Sequence, residues 1–191
     1  MTKGRLEAFS DGVIAIIITI MVLELKVPHD ASWESLKELL PIFLSYVFSF
    51  VFVGIYWVNH HHLVHTVKRL SAGILWSNLS LLFFLSLIPF ATAWMGENHF
   101  AENTVAVYAI LLSLCGLSYY ILQQIIMRSH TESTEMTEAL EKQRRKGLLS
   151  MFCYLTSIPL AFVHLGLSGV LFLFIAILWL VPDKNIEKAL R

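Results

Sequence analysis

Charge is what this sequence has least of. Only 15% of its 191 residues are Asp, Glu, Lys or Arg, whereas a soluble domain carries about a quarter. The stretches 39–59 and 105–122 contain no charged residue at all. Because a membrane crossing needs about 20 predominantly apolar residues, this distribution predicts a membrane protein and argues against an ordinary soluble domain.

The sequence also has no net charge and only two cysteines. The 14 basic and 14 acidic residues cancel, so no excess of positive charge points to a nucleic-acid partner. The two cysteines, Cys115 and Cys153, lie within apolar segments and do not form the pattern of a disulfide framework or a zinc site. We interpret both as small buried residues, and we predict neither a bound metal nor a cofactor.

Six apolar segments follow one another along the chain. They predict an all-α membrane protein with six transmembrane helices in a single domain, 1–191. The N-terminal run lacks a small-x-small cleavage site, so we interpret it as a retained helix rather than a signal peptide. Only the connection 127–146 is long and polar, and we expect a solvated loop or a surface helix there. The predicted helices cover about residues 6–26, 39–66, 71–94, 103–127, 147–164 and 167–182.

Lys and Arg are distributed unequally between the two predicted sides of the membrane. If the N-terminus is inside, the inner side collects twelve of the 14 basic residues, and the outer side keeps only Lys26 and Lys37. Basic residues concentrate in cytoplasmic loops. The bias therefore predicts a multi-pass protein of the cell (plasma) membrane with both termini cytoplasmic.

The first predicted helix carries two acidic residues that lie closer together than a membrane is thick. Asp11 and Glu24 are separated by 12 uncharged residues, about 18 Å of helix, whereas the hydrocarbon core is roughly 30 Å thick. A carboxylate at membrane depth costs about 2.5–3.5 kcal/mol and normally faces protein or water. Unless both carboxylates reach the interfaces, the first helix is therefore shielded inside an assembly or lines an aqueous path.

Topology supplies polar partners for Asp11. It lies near the inner end of the first helix, and on the same side the second helix ends and the third begins with several polar residues. We predict a structural hydrogen-bond network at this depth. Its members are Arg5, Ser10, Asp11, Asn59, His60, His61, Trp76 and Asn78, with Phe9 packed beside them.

The same histidines allow a second interpretation. His61 and His65 are four residues apart on one helical face, and Asp11 would be a third metal ligand. This leaves open a small membrane carrier or a metal-dependent membrane enzyme built on the histidine cluster at the inner end of the second helix. We favour the structural network, because His/Asp metal sites in membrane hydrolases usually draw histidines from more than one helix.

The first helix also has an uncharged side. At 100° per residue, Asp11 points about 140° away from Ile16. The residues on the side of Ile16 form a stripe made of Gly12, Ile16, Thr19 and Leu23, with Ile20 beside it. Periodicity alone leaves open whether this stripe faces lipid or packs against protein.

A signature stands at the start of the first helix. It follows the pattern R-x-x-x-F-S-D, formed here by Arg5, Phe9, Ser10 and Asp11. In this pattern, in the run that ends at Glu24 and in the segment 57–61, the chain resembles the endosomal and lysosomal potassium channel family. Its length and six predicted crossings are those of a single-repeat prokaryotic member, whereas the animal proteins carry two repeats.

The resemblance implies a potassium-selective cation channel and not an enzyme. It implies a homotetramer in the lipid bilayer, with a central pore lined by the first helix and potassium as the permeant ion. The family does not use a TVGYG carbonyl filter, and the sequence contains none. By position, Ile16 would form the narrowest ring. Thr19 and Leu23 would form the next layers outward with Ile20 beside them, and Glu24 would stand near the outer mouth.

Overall fold

The computed structural model of the chain describes residues 2–128 and 134–180. These residues form eight α-helices and no β-strand. In chain order the helices are α1 Lys3–Leu23, α2 Trp33–Glu38, α3 Leu40–His65, α4 Ala72–Ser86, α5 Ile88–Glu97, α6 Glu102–Met127, α7 Thr134–Val163 and α8 Leu165–Leu180.

Within the described residues, five stretches are long and apolar enough to cross a membrane. They are α1, α3, α4 together with α5, α6, and the part of α7 from Glu138 to Val163, with mean hydropathies between 1.5 and 2.1. The apolar helix α8 is shorter, with 16 residues or about 24 Å of helix. The prediction of an all-α membrane chain is confirmed, and the number of six crossings stays a prediction.

The third expected segment, 71–94, is one span of two helices that extends from Ala72 to Glu97. Its break lies at Leu87, and Pro89 stands in the first turn of α5. Proline has no backbone N–H to bond the carbonyl four residues earlier, and its ring clashes with that carbonyl. The interruption is therefore a local effect of Pro89.

The short helix α2 precedes the second span and is closed at its start by side chains. Ser32 is the N-cap residue, and its Oγ accepts a hydrogen bond from the backbone N–H of Ser35 at 3.2 Å. The carboxylate of Asp30 accepts from the Ser32 backbone N–H at 2.8 Å and from the Ser35 hydroxyl at 2.6 Å. Hydrogen bonds from Ser32 and Ser35 lower the pKa of Asp30 to about 2.

The helix expected at 147–164 begins earlier in the structure. α7 starts at Thr134, so the second half of the connection 127–146 continues the same helix, while residues 129–133 lie outside the described residues. Buried glutamines explain this start. Gln143 Nε2 donates to the Tyr119 hydroxyl at 3.0 Å, and its Oε1 accepts from Gln123 Nε2 at 3.0 Å. Because these polar groups satisfy one another, a polar helix end can pack against α6.

The helices pack so that α1 lies at one side of the bundle. α1 contacts α3, α4 and α5, whereas α6 packs against α4, α5 and α7, and α8 packs mainly against α7. α3 and α5 approach each other closely at Gly96. A Cβ added there would lie 2.5 Å from Ser45 Oγ and 2.8 Å from Ile42 Cα.

We predict that Gly96→Ala destabilises the protein by about 1–3 kcal/mol, because the added methyl group forces α3 and α5 apart. Gly54→Ala is the matched control: a Cβ at Gly54, inside α3, meets nothing within 4 Å. Alanine is favoured over glycine inside a helix by about 1 kcal/mol, so this variant should be at least as stable as the parent. Thermal unfolding in detergent measures both, and equal Tm values for the two variants would contradict the close packing.

Candidate functional site

The two sides of α1 have opposite environments. The side with Ser10 is buried against α3, α4 and α5 together with Leu6, Ile14, Ile17 and Met21. The opposite side is exposed in the single chain, with Ile16 at 57% and Leu23 at 76% of full exposure. Every member of the uncharged stripe lies on this exposed side, namely Gly12, Ile16, Thr19, Leu23 and the adjacent Ile20.

Three buried polar side chains from three helices form one hydrogen-bonded chain. Asn78 of α4 donates from Nδ2 to Ser10 Oγ of α1 at 2.9 Å, and Ser10 in turn donates to the Leu6 carbonyl at 2.8 Å. Asn78 Oδ1 lies 2.6 Å from His60 Nε2 of α3. Since an amide oxygen can only accept, the proton stands on His60 Nε2. Ser10, Asn78 and His60 are at most 1% exposed, so these hydrogen bonds lie in the interior of the subunit.

Asp11 takes a different partner from the one expected. The indole Nε1 of Trp57, on α3, donates to Asp11 Oδ1 at 3.0 Å. Trp57 lies within the segment 57–61 that resembles the channel family, but no role was predicted for it. Its signal in the sequence is its position one turn before His60 and His61, which places it beside α1 at the depth of Asp11.

The remaining residues of the expected network lie apart from this chain. Asn59 is turned towards α6, because its carbonyl accepts from the Tyr119 hydroxyl at 3.1 Å and its Nδ2 donates to the Ile55 carbonyl at 2.8 Å. Arg5, Phe9 and Trp76 have exposed side chains, and Trp76 is 73% exposed. The structure therefore brings Ser10, Asn78 and His60 together and leaves these four outside, together with the exposed His61.

At the N-terminal end of α1, two residues that were not predicted as site residues contact the end of α3. The Lys3 ammonium donates to the His65 carbonyl. The Glu7 carboxylate lies 3.8 Å from His65 Nδ1. His65 also stacks on His61, with ring centroids 6.0 Å apart. These contacts give the N-terminal end of α1 a second attachment, beyond the buried network.

The histidines do not assemble with other ligands in the described part of the chain. Within residues 2–128 and 134–180, no group of three or more His, Cys, Asp or Glu side chains is placed to hold a metal ion. His60 uses its Nε2 in the bond to Asn78, and the Asp11 carboxylate accepts from Trp57. The geometry at this end of α3 is that of a hydrogen-bond network.

At the other end of α1, an open groove runs between α1 and α5. Its volume is about 670 Å³, and its lining includes Ile16, Ile20, Glu24, Trp94 and Glu97. Beside the groove, Lys26 forms an ion pair with Glu97, with 2.8 Å between Nζ and Oε1. The hydrogen bond and the charge of Glu97 raise the pKa of Lys26. Two carboxylates and one ammonium group thus stand where α1 ends.

The fold and the site define a class: a helical membrane protein whose first helix is anchored by buried polar groups on one side and carries an open, largely apolar face on the other. Comparison with known proteins agrees with this class. A sequence model described as the endosomal/lysosomal potassium channel TMEM175 matches residues 5–89. A protein of Chryseobacterium sp. (strain P1-3) named as a potassium channel is 52% identical over 191 residues, covering 100% of this chain and 99% of that protein.

More distant relatives extend the comparison. A potassium channel of Streptomyces collinus is 32% identical over 87% of this chain and 85% of its own length. The crystal structure of a lysosomal potassium-selective channel TMEM175 homolog from Chamaesiphon minutus superposes with a TM-score of 0.82 at 30% identity, covering 93% of this chain and 95% of that chain. The chain belongs to the TMEM175 family, whose members matched here are ion channels and not enzymes.

We predict that Asn78→Leu lowers the free energy of unfolding by roughly 1–3 kcal/mol, because His60 Nε2 loses its acceptor and the Ser10 oxygen loses its donor in the interior. Asn103→Leu, at an exposed position in the first turn of α6, introduces the same side chain and should change stability by less than about 0.5 kcal/mol. Unfolding of the purified proteins by denaturant in detergent measures the difference. Equal stability of the two variants would show that the amide of Asn78 does not hold α1.

Proposed function

We propose that the chain forms a potassium-selective channel, a homotetramer in which α1 of each copy lines a shared central pore. The relatives that match along most of their length are named potassium channels, which supports potassium as the permeant ion. No cofactor is needed in this account. One observation carries the choice of helix: Ile16, Thr19 and Leu23 are exposed in the single chain, directly opposite the buried side of Ser10.

Physical reasons favour α1 over the other exposed helices as the wall of the pore. Much of the surface of a membrane helix normally faces lipid, and lipid tolerates apolar side chains as well as protein does. The exposed side of α1 combines the Thr19 hydroxyl with Glu24 at its end. Polar and ionisable groups at membrane depth are costly unless they face protein or water. A water-filled path along this side of α1 would accommodate both Thr19 and Glu24.

The Ile16 side chains of the copies would form the narrowest ring. Apolar side chains that meet on an axis make a constriction that loses its water when narrow and so stops ions. A slightly wider state passes an ion that has shed part of its hydration. Potassium holds water less tightly than sodium, so its passage through such a ring costs less. This selectivity needs no carbonyl filter.

The Thr19 hydroxyls would form the next layer outward, and their orientation supports this role. Thr19 Oγ1 donates its hydrogen to the Ile16 carbonyl at 2.9 Å. The hydrogen is therefore turned towards the helix, and the oxygen lone pairs are left for a cation. Leu23 and Ile20 continue the apolar wall beyond Thr19. Glu24 near the outer mouth would raise the local concentration of cations.

The buried network would set the diameter of the ring. Ser10, Asn78 and His60 join α1, α4 and α3 on the side of α1 opposite Ile16. The bond between Trp57 and Asp11 holds α1 from a lateral side. Any rotation or displacement of α1 that moved Ile16 would also have to break these hydrogen bonds. The network would therefore hold the Ile16 ring in place relative to the rest of each subunit.

The topology that suits this pore has six crossings, with α8 as the sixth, and both termini cytoplasmic in the plasma membrane. The inner end of α1 then carries Lys3, Glu7 and the contact with His65, while Glu24, Lys26 and Glu97 lie outside. The bias of Lys and Arg towards the inner side supports this orientation.

Ile16→Asn tests the constriction. We expect the amide side chains to hydrate the ring, so that the reversal potential between potassium on one side of a bilayer and sodium on the other moves towards zero relative to the parent protein. Ile110→Asn, at an exposed position of α6, introduces the same group away from α1 and should leave the reversal potential unchanged. Unaltered selectivity of the Ile16 variant would remove Ile16 from the filter, and a protein that is monomeric in the bilayer would rule out the shared pore.

A further inference from the structure

The helix α7 carries a basic cluster directly before its uncharged part. Between Glu138 and Lys146 the helix has four basic and two acidic residues, and all four basic residues lie nearer to the uncharged part. The stretch from Gly147 to Val163 then contains 17 residues and no charge, about 25 Å of helix. Clusters of Lys and Arg that adjoin a membrane span are typical of segments that bind anionic lipids, although some serve only to fix orientation.

Trp179, near the end of α8, indicates the depth of this cluster in the membrane. Its indole Nε1 donates to Ser150 Oγ of α7 at 2.8 Å. Ser150 in turn donates to the Lys146 carbonyl at 2.9 Å, one turn back along α7. Tryptophan is enriched at the membrane–water interface, where its ring lies at the level of the lipid headgroups. The basic cluster therefore lies beside the headgroups, within reach of their phosphates.

The positive charges of the cluster are only partly balanced within α7. Lys142 and Arg145 are exposed, and Lys146 is half-buried. Arg144 is paired with Glu141, with 2.8 Å between Nε and Oε2, and Arg145 Nε lies 3.9 Å from the same carboxylate. One carboxylate cannot balance two guanidinium groups and two lysines. An excess of positive charge therefore stands on the exposed side of the helix, at headgroup level.

The same side of α7 continues as an apolar strip. Leu149 and Phe152 follow Lys142 and Arg145 at spacings of three and four residues, which keep all four on one helical face. Leu149 is 44% exposed and Phe152 is 68% exposed. Any membrane helix shows apolar side chains to lipid, so the strip alone identifies no ligand. Its order along the helix, cations and then apolar side chains, is the order of phosphate and acyl chains in a phospholipid.

We propose that this face of α7 binds an anionic phospholipid. The phosphate would accept hydrogen bonds from Lys142, Arg145 and Lys146, and the acyl chains would lie along Leu149 and Phe152. In the orientation given above, this end of α7 faces the cytoplasmic leaflet, whose anionic lipids attract basic segments. The proposal does not depend on the pore lined by α1.

Native mass spectrometry of the full chain in detergent, titrated with phosphatidylglycerol, tests the proposal. Phosphatidylcholine with the same acyl chains is the control lipid, because its headgroup carries no net charge. We expect phosphatidylglycerol to bind more tightly by roughly 10- to 100-fold, since each Lys or Arg near a membrane surface contributes about five-fold. Equal affinity for the two lipids would overturn the proposal.

Matched variants locate the lipid. The double variant Lys142→Gln, Arg145→Gln should lower the affinity for phosphatidylglycerol by roughly 5- to 25-fold and leave that for phosphatidylcholine unchanged. The double variant Lys68→Gln, Arg69→Gln removes the same charge from exposed positions between α3 and α4 and should bind as the parent does. The charge-conserving pair Lys142→Arg, Arg145→Lys should also keep the parental affinity. Equal losses in the two glutamine variants, or no loss in either, would overturn the assignment to α7.

Inorganic phosphate distinguishes a lipid from a free anion. At millimolar concentration it should not displace phosphatidylglycerol, because it has no acyl chains to lie along α7. Phe152→Ala should weaken the binding of phosphatidylglycerol, whereas Phe83→Ala, at an exposed position of α4, should not. Displacement by inorganic phosphate, or parental affinity of Phe152→Ala, would assign the cations to a free anion and overturn the lipid site.

Discussion

The amide of Asn78 makes two hydrogen bonds at once, and the position of α1 depends on both. Its nitrogen donates to Ser10, and its oxygen accepts from His60, so that three helices meet at one side chain. Single hydrogen bonds between membrane helices contribute only about 0.6 kcal/mol on average. Their larger effect is on geometry. A rotation of α1 would leave the Asn78 amide nitrogen without its acceptor in an apolar interior, so one orientation of the helix is selected.

That orientation decides what the rest of α1 can do. Once the side with Ser10 faces the bundle, Ile16 and Thr19 must face outwards, because they lie on the opposite side of the same helix. Trp57 holds Asp11 between these two sides and pairs a carboxylate that would otherwise be costly at this depth. The open face is therefore a consequence of the anchored one. In the proposed pore shared by several copies, such a face would meet water.

The sequence predicts the parts of this structure that follow from apolar length and from topology. The long helices follow from the apolar segments, and the meeting of Ser10, His60 and Asn78 follows from helices that end at one depth. The position of Trp57 places it near Asp11, but the bond between them was not predicted, because indole donors serve many partners and only packing selects one. The early start of α7 was missed for a related reason: a buried pair such as Gln123 and Gln143 looks polar and solvated until its partner is known.

Silver ions test most directly whether α1 lines the pore, because they bind thiolates and are small monovalent cations. Ile16→Cys places a thiol on the exposed side of α1, and Ile14→Cys places one on the buried side; the native Cys115 and Cys153 are buried and serve as the background in the parent protein. If α1 lines the pore, silver should block the potassium current of Ile16→Cys and leave the currents of Ile14→Cys and of the parent protein unchanged. Block of Ile14→Cys with no effect on Ile16→Cys would contradict it.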